Sequence, residues 1–479
     1  MKSNNKLKKT KIIATIGPAS NSYEVIKKMI LNGVNVCRIN FSHTSHEDAL
    51  NIISLVNRIN EEIGFKAAIL GDLQGPKLRI GLVKKNTILN AGSKIYLTNK
   101  NCLSSEKKIF INYPRLMNDL KENDKVLIDD GKIKIRVLAI NKLNITCEVI
   151  NGGPISSKKG VNLPTSTLSL KSITQKDHKD LNFLIKNKIE WVALSFVQNA
   201  KDIIDLRKII IAKKSAIKII AKIEKPQAIK NIKSITRSAD AVMIARGDLG
   251  IEVPMQKVPI FQKKIITLCL NYAKPVVVAT QLMEGMINNS ITTRAETNDV
   301  ANAVFDGADA LMLSGETAIG KNPIKVVKAM SKIILSVENS DFELKSEVMP
   351  PKKKSNNSRY ISDSICLYAC KLADQTHAKA IITLTASGYN AQKICANRPK
   401  SFIYVFTHNK QILNTLSLLR GVYTFHYTKF NSTDETIKDL HKFLVKLKFI
   451  KKGDTVINIG SMPIKEKGMT NMLKLNTVN

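Results

Sequence analysis

Along most of the chain, short β-branched runs alternate with helix-length amphipathic stretches, the pattern of parallel strands joined by crossover helices. Three runs come first, Lys11–Gly17, Val34–Ser42 and Lys66–Leu73, with helical stretches at Tyr23–Leu31 and His46–Ile63 between them. From about Gly75 to Leu163 the rhythm changes to short strands and turns: Lys125–Ile128, the turn Asp129-Asp130-Gly131, Lys132–Ala139, and a late turn at Asn151-Gly152-Gly153-Pro154. The alternation then resumes with runs at Ile189–Val197, Ile217–Glu224, Ala241–Asp248, Lys274–Gln281 and Ala310–Glu316. Helices are expected at Gln175–Lys188, Ala200–Ala212, Pro226–Ile235, Pro259–Ala273 and Arg294–Phe305. Three early strands and five later ones make eight, the number that closes a TIM (β/α)8 barrel. The expected architecture is α/β: such a barrel over 1–74 and 164–345, with a β-barrel-like lid domain inserted at 75–163. The stretch Pro350-Pro351-Lys352-Lys353-Lys354-Ser355-Asn356-Asn357-Ser358 reads as a solvated linker. A C-terminal α/β parallel-sheet domain over 355–479 follows, with strands at Ala380–Leu384, Phe402–Phe406 and Thr455–Ile459.

A chain of 479 residues has room for about three domains. Its 44% hydrophobic and 24% charged residues exclude collagen-like and disordered classes. No apolar run reaches the roughly 18 residues of a membrane span. The basic N-terminus meets a strand without the apolar core of a signal peptide, and seven scattered cysteines argue for reduced thiols, so a cytoplasmic protein is expected. The formal charge of +36 is that of a nucleic-acid binder. Such binders gather charge into a stripe interleaved with aromatics, whereas these lysines recur in nearly every segment beside Ile and Asn. All three residue types have A/T-rich codons. Base composition explains the charge better than a nucleic-acid partner does.

The barrel runs carry their unusual residues at the C-terminal end, where barrel enzymes place their chemistry. They end in Thr15, in Arg38-Ile39-Asn40-Phe41-Ser42-His43, in Asp72, in Lys222 and Glu224, in Arg246-Gly247-Asp248, in Thr280-Gln281 and in Ser314-Gly315-Glu316. Together they form a ring around one cavity. Lys222 and Glu224 lie two apart on a strand and share a face. A lysine in so apolar a strand requires negative charge beside it, and a structural ion pair with Glu224 would supply that. Glu224 and Asp248 would equally make a two-carboxylate Mg²⁺ site (or Mn²⁺), with substrate oxygens and water completing it. Arg38 and Lys222 beside the metal would clamp a phosphoryl group and a developing oxyanion. Gly247-Asp248 precedes Leu249-Gly250, where exposed backbone N–H groups would cradle a carboxylate, and Thr280 offers a hydroxyl toward the same cavity. The ring calls for a small substrate bearing both a phosphate and a carboxylate.

The strings Cys37-Arg38-Ile39-Asn40-Phe41-Ser42-His43, Ile220-Ala221-Lys222-Ile223-Glu224, Met243-Ile244-Ala245-Arg246-Gly247-Asp248-Leu249-Gly250-Ile251-Glu252, Ala279-Thr280-Gln281, Thr293-Arg294-Ala295-Glu296 and Leu313-Ser314-Gly315-Glu316-Thr317-Ala318 together resemble the pyruvate kinase family. The resemblance runs in the family's order from about Lys11 to the C-terminus. It implies transfer of the phosphoryl group of phosphoenolpyruvate to ADP, giving ATP and pyruvate, in a homotetramer. By position, Lys222 would stabilise the transferring group and the enolate, and Arg38 would hold the phosphate. Glu224 and Asp248 would hold the divalent ion. Gly247, Asp248 and Thr280 would bind the substrate carboxylate, with Thr280 near the proton-donating water. His43, Arg79 and Lys159 would serve the nucleotide, and the insert would act as a water-excluding lid. Asn40, Ser42, Asp72 and the Leu73 carbonyl correspond to the family's K⁺ pocket. Members that need K⁺ carry Gly-Pro-Glu at the insert's entry; this chain has Gly75-Pro76-Lys77. The ammonium of Lys77 would supply the ion's charge, which implies activity that does not require K⁺.

Other signals carry less. Gly315–Lys321 matches the front of a P-loop, but Asn322 stands where the Mg²⁺-binding hydroxyl belongs and Pro323 follows. His43 and His46 lack further zinc ligands, and Cys366 and Cys370 fit a buried helix face. The segment Thr383–Ala391 resembles the family's sugar-phosphate effector loop, a candidate site for a sugar phosphate or AMP, with Asn390 where the family has a hydroxyl. Ser290-Ile291-Thr292 departs from the family at a subunit interface. Competing readings are a different Mg²⁺-enolate barrel, such as a carbon–carbon lyase, and a nucleic-acid binder on an inactive scaffold.

Overall fold

The computed structural model describes residues 7–64, 67–141, 143–166, 169, 172–340, 348–349, 359–429, 432–462 and 469–479. The 350–358 stretch read as a linker and Lys66 at the start of the third expected strand lie outside the described residues. The barrel opens with β1 (Lys11–Thr15), β2 (Val34–Asn40) and β3 (Ala68–Asp72). The interruption contributes β4 (Ile88–Leu89), β5 (Lys94–Thr98), β6 (Lys108–Phe110), β7 (Lys125–Ile128), β8 (Ile133–Ile140), β9 (Ile145–Asn151), β10 (Gly153–Pro154) and β11 (Val161–Asn162). The barrel resumes with β12 (Trp191–Leu194), β13 (Lys218–Ile223), β14 (Ala241–Ala245), β15 (Val276–Ala279) and β16 (Ala310–Leu313). Strands β17 (Ala380–Leu384), β18 (Phe402–Thr407), β19 (Val422–His426), β20 (Thr455–Gly460) and β21 (Met472–Thr477) follow.

The eight barrel strands close in sequence order, β16 pairing back onto β1, all parallel. Both faces of these strands are buried, one against the barrel interior and one against the helical shell, which is why they read as unbroken apolar runs. The inserted segment forms a six-stranded sheet in the order β11-β7-β8-β9-β5-β6 and a two-stranded ribbon of β4 and β10. Its longest strand alternates, with Ile133, Ile135 and Val137 buried and Lys134, Arg136 and Leu138 more exposed, because only one face has a core to cover.

Several barrel strands end sooner than the sequence suggests. The run read to Asp248 stops at Ala245, and that read to Glu316 stops at Leu313; helices begin at Arg246 and Gly315. The last paired residues of β14 are Ile244, opposite Ile223, and Ala245, opposite Ala279. Beyond them there is no neighbouring strand to hold an extended backbone. The helix read over Pro226–Ile235 is two, Pro226–Lys230 and Ile232–Ser238, meeting at Asn231.

The C-terminal sheet has the order β19-β18-β17-β20-β21. Four strands are parallel, and β21 adds an antiparallel edge to the expected parallel sheet. This domain sits against the floor of the barrel. Leu418, from the turn Leu416–Leu418, is fully buried in the same cluster as the interior residues Ile13, Leu70, Trp191, Ile220 and Met243. Around it, Trp191 Nε1 donates to the Thr415 carbonyl at 3.2 Å and Lys11 Nζ to the Val422 carbonyl at 2.8 Å. Arg398 grips Asp309, the residue before β16, through both guanidinium nitrogens at 3.1 and 2.8 Å. Among the described residues no helix is long and apolar enough to cross a membrane.

Candidate functional site

At the C-terminal mouth of the barrel, side chains from five strands meet. Arg38, on β2, donates from Nε to Asp72 Oδ2 at 2.8 Å and from Nη1 to Thr15 Oγ1 at 2.8 Å. It thereby ties β2 to β3 and β1. Lys222, near the end of β13, points inward: its Nζ lies 2.9 Å from Glu224 Oε1, 3.2 Å from Asp72 Oδ1 and 2.8 Å from Ser195 Oγ. The ion pair weighed for Lys222 and Glu224 is present, and Asp72 is a second partner. Asp72 thus pairs with two cations rather than standing only as a cation-pocket oxygen.

Burial shapes the charges here. It pushes the Asp72 carboxyl up, but Lys222 and Arg38 outweigh it and hold the group below its ordinary value. Burial pulls the Lys222 ammonium down, yet Asp72 and Glu224 reverse the effect and raise it, so it stays charged. Glu224 goes the other way. Desolvation raises it, Lys222 opposes, and the charge of Asp248 pushes it further up. A carboxylate whose anionic form is disfavoured beside a second carboxylate is a place where a divalent cation is stabilising. Among the described residues no three His, Cys, Asp or Glu side chains gather as a metal cage. Two carboxylates and no nitrogen or sulfur donor suit Mg²⁺ or Mn²⁺, which bind through few protein oxygens and keep sites for substrate.

Gly247 and Asp248 lie in the first turn of the helix Arg246–Glu252, beside Thr280. Thr280 and Gln281 both have left-handed backbones (φ 67° and 54°), uncommon for non-glycine residues and most of all for a β-branched one. That corner aims Thr280 Oγ1 at the Gly247 N–H, which donates to it at 2.7 Å, and a Cβ on Gly247 would stand 3.2 Å from the same oxygen. The Gly247 amide read as open toward a carboxylate is therefore engaged by Thr280. Arg246, read as one of the ring, braces the corner instead. Its Nη2 donates to the Thr280 and Gln281 carbonyls at 2.9 and 3.0 Å, and it forms a two-pronged pair with Asp299 at 2.7 Å. Glu316 is likewise turned to backbone, accepting from Ser314 and Met283 N–H groups. A cavity of about 790 Å³ opens over Gly247, Asp248, Thr280 and Ser314. Lys222 and Glu224 lie outside its lining, enclosed by their own ion pairs.

The residues expected at the nucleotide come from both domains. The charges of Lys77, Arg79 and Arg38 reach His43 and, after desolvation, hold its imidazole below the ordinary range. Arg79 donates to the Lys158 carbonyl at 2.9 Å, and Lys159 pairs with Asp129 at 2.9 Å, so both sit on the insert. A cleft of about 50 Å³ between insert and barrel is lined by Lys77, Asp130, Asn162, Phe196, Lys225 and Asp248. Of the four cation-pocket positions, Asn40 Oδ1 accepts from Ser42 N–H at 3.1 Å and the Leu73 carbonyl from Ser195 Oγ at 2.7 Å. Asp72 is held by Arg38 and Lys222.

The loop after β2 has its own brace. Lys176 Nζ donates to the Phe41 carbonyl at 2.6 Å and to Asp180, which also binds His46 Nε2 at 2.8 Å. His46 stacks on Phe183, with ring centroids 4.5 Å apart. Cys366 and Cys370 are buried on a helix face, with burial pushing the Cys366 thiol up to about 12. In the loop resembling an effector site, Asn390 is buried and donates to Thr470 Oγ1 at 2.6 Å.

Sequence reasoning took nothing from the fourth barrel strand. The structure puts Ser195 and Phe196, just past β12, against Lys222 and Glu224. A serine after an apolar run gives little signal in itself; the polar residue at that strand end was the only cue.

Comparison with known proteins bears on the chain as a whole. The profile of the pyruvate kinase barrel domain matches residues 7–327, and that of the pyruvate kinase alpha/beta domain matches 363–476. The chain is 39% identical over 476 residues to a pyruvate kinase of Geobacillus stearothermophilus, covering 98% of this chain and 81% of that one. It is 37% identical to a pyruvate kinase of Corynebacterium glutamicum, covering 98% and 97%. A crystal structure of a pyruvate kinase from Cryptosporidium parvum superposes with a TM-score of 0.92 at 33% identity, over 98% of this chain and 96% of that one. With barrel, insert and C-terminal domain all matched in order, the chain belongs to the pyruvate kinase family of phosphotransferases.

Proposed function

We propose that this chain transfers the phosphoryl group of phosphoenolpyruvate to ADP, releasing ATP and pyruvate, and that it does so without requiring K⁺. The observation that carries the reading is the buried ammonium of Lys222, kept charged by Asp72 and Glu224 at the barrel mouth. Phosphoryl transfer breaks the bond from phosphorus to the enol oxygen and forms one to a β-phosphate oxygen of ADP. A fixed cation beside the enol oxygen stabilises charge in both the transfer and the enolate. Arg38, locked by Asp72 and Thr15, presents its guanidinium to the phosphoryl group without having to be ordered at the moment of reaction. Glu224 and Asp248 would hold a divalent ion, which would supply further positive charge to stabilise the developing anion. Thr280 and the Gly247–Asp248 backbone border one cavity and bind the substrate carboxylate, the Gly247 N–H turning to it from Thr280 Oγ1 and the Thr280 hydroxyl hydrogen turning to it from the Ala279 carbonyl. The methylene carbon of the enolate then takes a proton from a water near Thr280. His43, Arg79 and Lys159 serve the nucleotide from the two walls of the cleft.

The K⁺ reading rests on Lys77. It lines the insert–barrel cleft, and its charge is felt at His43, next to Ser42 and near Asn40. The pocket oxygens of Asn40, Asp72 and Leu73 already have protein donors. With this reading go domain limits of 1–74 with 164–345, 75–163 and 355–479, a homotetramer, and a cytoplasmic location. A sugar-phosphate or AMP effector at 383–391 would have to bind without Asn390, whose side chain is turned inward. The test is a lactate dehydrogenase-coupled assay with Mg²⁺, phosphoenolpyruvate and ADP. Pyruvate should form only with ADP, and Lys222→Met should abolish it. Replacing K⁺ by a tetraalkylammonium ion should change turnover less than tenfold; a loss of about a hundredfold, roughly 2.7 kcal/mol of barrier, would overturn K⁺ independence.

A further inference from the structure

We propose that Ser195 is a positioning residue for Lys222, and that the Ser195–Phe196 corner holds the ammonium and the Glu224 carboxylate in one fixed arrangement. The inference rests on the function proposed above. An ammonium has three donors and no acceptor. Here the three neighbours are Ser195 Oγ at 2.8 Å, Glu224 Oε1 at 2.9 Å and Asp72 Oδ1 at 3.2 Å. Ser195 is the neutral member. Its hydroxyl accepts from Lys222, so its own hydrogen is free to go to the Leu73 carbonyl, 2.7 Å away. The side chain is 2% exposed and both its roles are used. Without that oxygen one ammonium hydrogen loses its partner, and the remaining attraction draws Nζ toward the two carboxylates, away from an incoming substrate.

The next residue acts on the other half of the pair. Phe196 adopts φ 55°, a left-handed backbone uncommon for an aromatic residue. That conformation directs its N–H to Glu224 Oε2 at 2.7 Å. Its ring occupies the space beside Gly75, where a Cβ would lie 2.9 Å from Phe196 Cδ2; Gly75, at φ 68°, is the entry to the insert. Two consecutive residues therefore touch the ammonium, the candidate metal carboxylate and the entry to the insert. Strained backbone of this kind persists where surrounding contacts over-determine it.

The experiment compares the intact chain with Ser195→Ala and Ser195→Thr, measuring kcat, the KM for phosphoenolpyruvate and the urea unfolding midpoint. A positioning role predicts a 10- to 100-fold lower kcat for S195A, with KM changed less than threefold and an unfolding midpoint close to that of the intact chain. S195T, which keeps the hydroxyl, should recover kcat to within about fivefold. A kcat for S195A within threefold of the intact chain overturns the proposal. So does an S195T that does no better than S195A, or a loss of kcat that only follows a loss of folded protein. Pyruvate formation by the unsubstituted chain tests the underlying function separately, so the two failures are distinguishable.

Discussion

Two kinds of buried lysine occur in this molecule, and their surroundings give them opposite chemistry. Lys222 has two carboxylates within ion-pair distance and stays charged. Lys11, buried more deeply still at the barrel floor, has a carbonyl and the face of Tyr423, with its Nζ 4.2 Å from the ring centroid. Desolvation brings it down to about 8. The folded pKa lies below the ordinary value of 10.5, so the folded state binds fewer protons. The burial penalty is complete below pH 8 and is relieved as pH rises toward 10.5. Lys11→Met should therefore be more stable than the parent chain at pH 7, and that advantage should shrink by about 1–2 kcal/mol between pH 7.5 and 9.5, measured by urea unfolding of both proteins. Comparing the two cancels the cysteines and tyrosines that titrate in the same range. The sequence told these lysines apart only in part. Lys222 stood out because Glu224 follows two residues later, whereas Asp72, its other partner, is distant in the chain, and its place in the ring and in the cation pocket gave no sign that it pairs with Lys222. Arg246 and Glu316 show the converse. They sit where the ring predicts, but their hydrogen bonds to Asp299 and to backbone are long-range contacts with no local mark.

Among the elements, helices were the more legible. Tyr23–Leu31, His46–Ile63, Ala200–Ala212 and Arg294–Phe305 have the limits their periodicity suggests, helped by cap residues such as Ser45, Asn199 and Thr293. Barrel strands were found but overextended, because a strand buried on both faces has no alternation to mark its end. The edge strand β21 and the short β19 escaped for the opposite reason, being half-exposed and mixed in composition. One helix does more than connect strands. Asp177, in the first turn of Gln175–Lys186, completes its own capping box with Thr174 and accepts the Gly75 N–H at 3.1 Å on its other oxygen. Asp177→Ala should thus remove a cap, about 1 kcal/mol, and orphan a buried amide, about 1–3 kcal/mol. Urea unfolding should show a combined loss of roughly 2–4 kcal/mol. Because the orphaned amide belongs to the insert's entry, the KM for ADP should also rise in steady-state assays.

At the scale of the whole chain, eight strands with a β interruption were enough to identify barrel, insert and C-terminal domain. How the last meets the first was not legible, since Leu418 is one leucine among many and nothing local says that it enters another domain's interior. It is fully buried among Ile13, Leu70 and Ile220. Leu418→Ala should cost about 2–5 kcal/mol, the range for a core leucine truncation, and calorimetry should show the barrel transition itself moving down. Arg398 and Asp309 tie the same floor through a buried pair, of which neither partner is replaceable alone without stranding a charge.

A leucine contributed so late in the chain also has a consequence in time. While the polypeptide is being synthesised, the eight staves emerge long before the stopper that seals them from below, so the newborn cylinder carries an open greasy drain until translation is nearly done. Nascent chains halted before Leu418 should stick to chaperones or to each other, and completed chains should not.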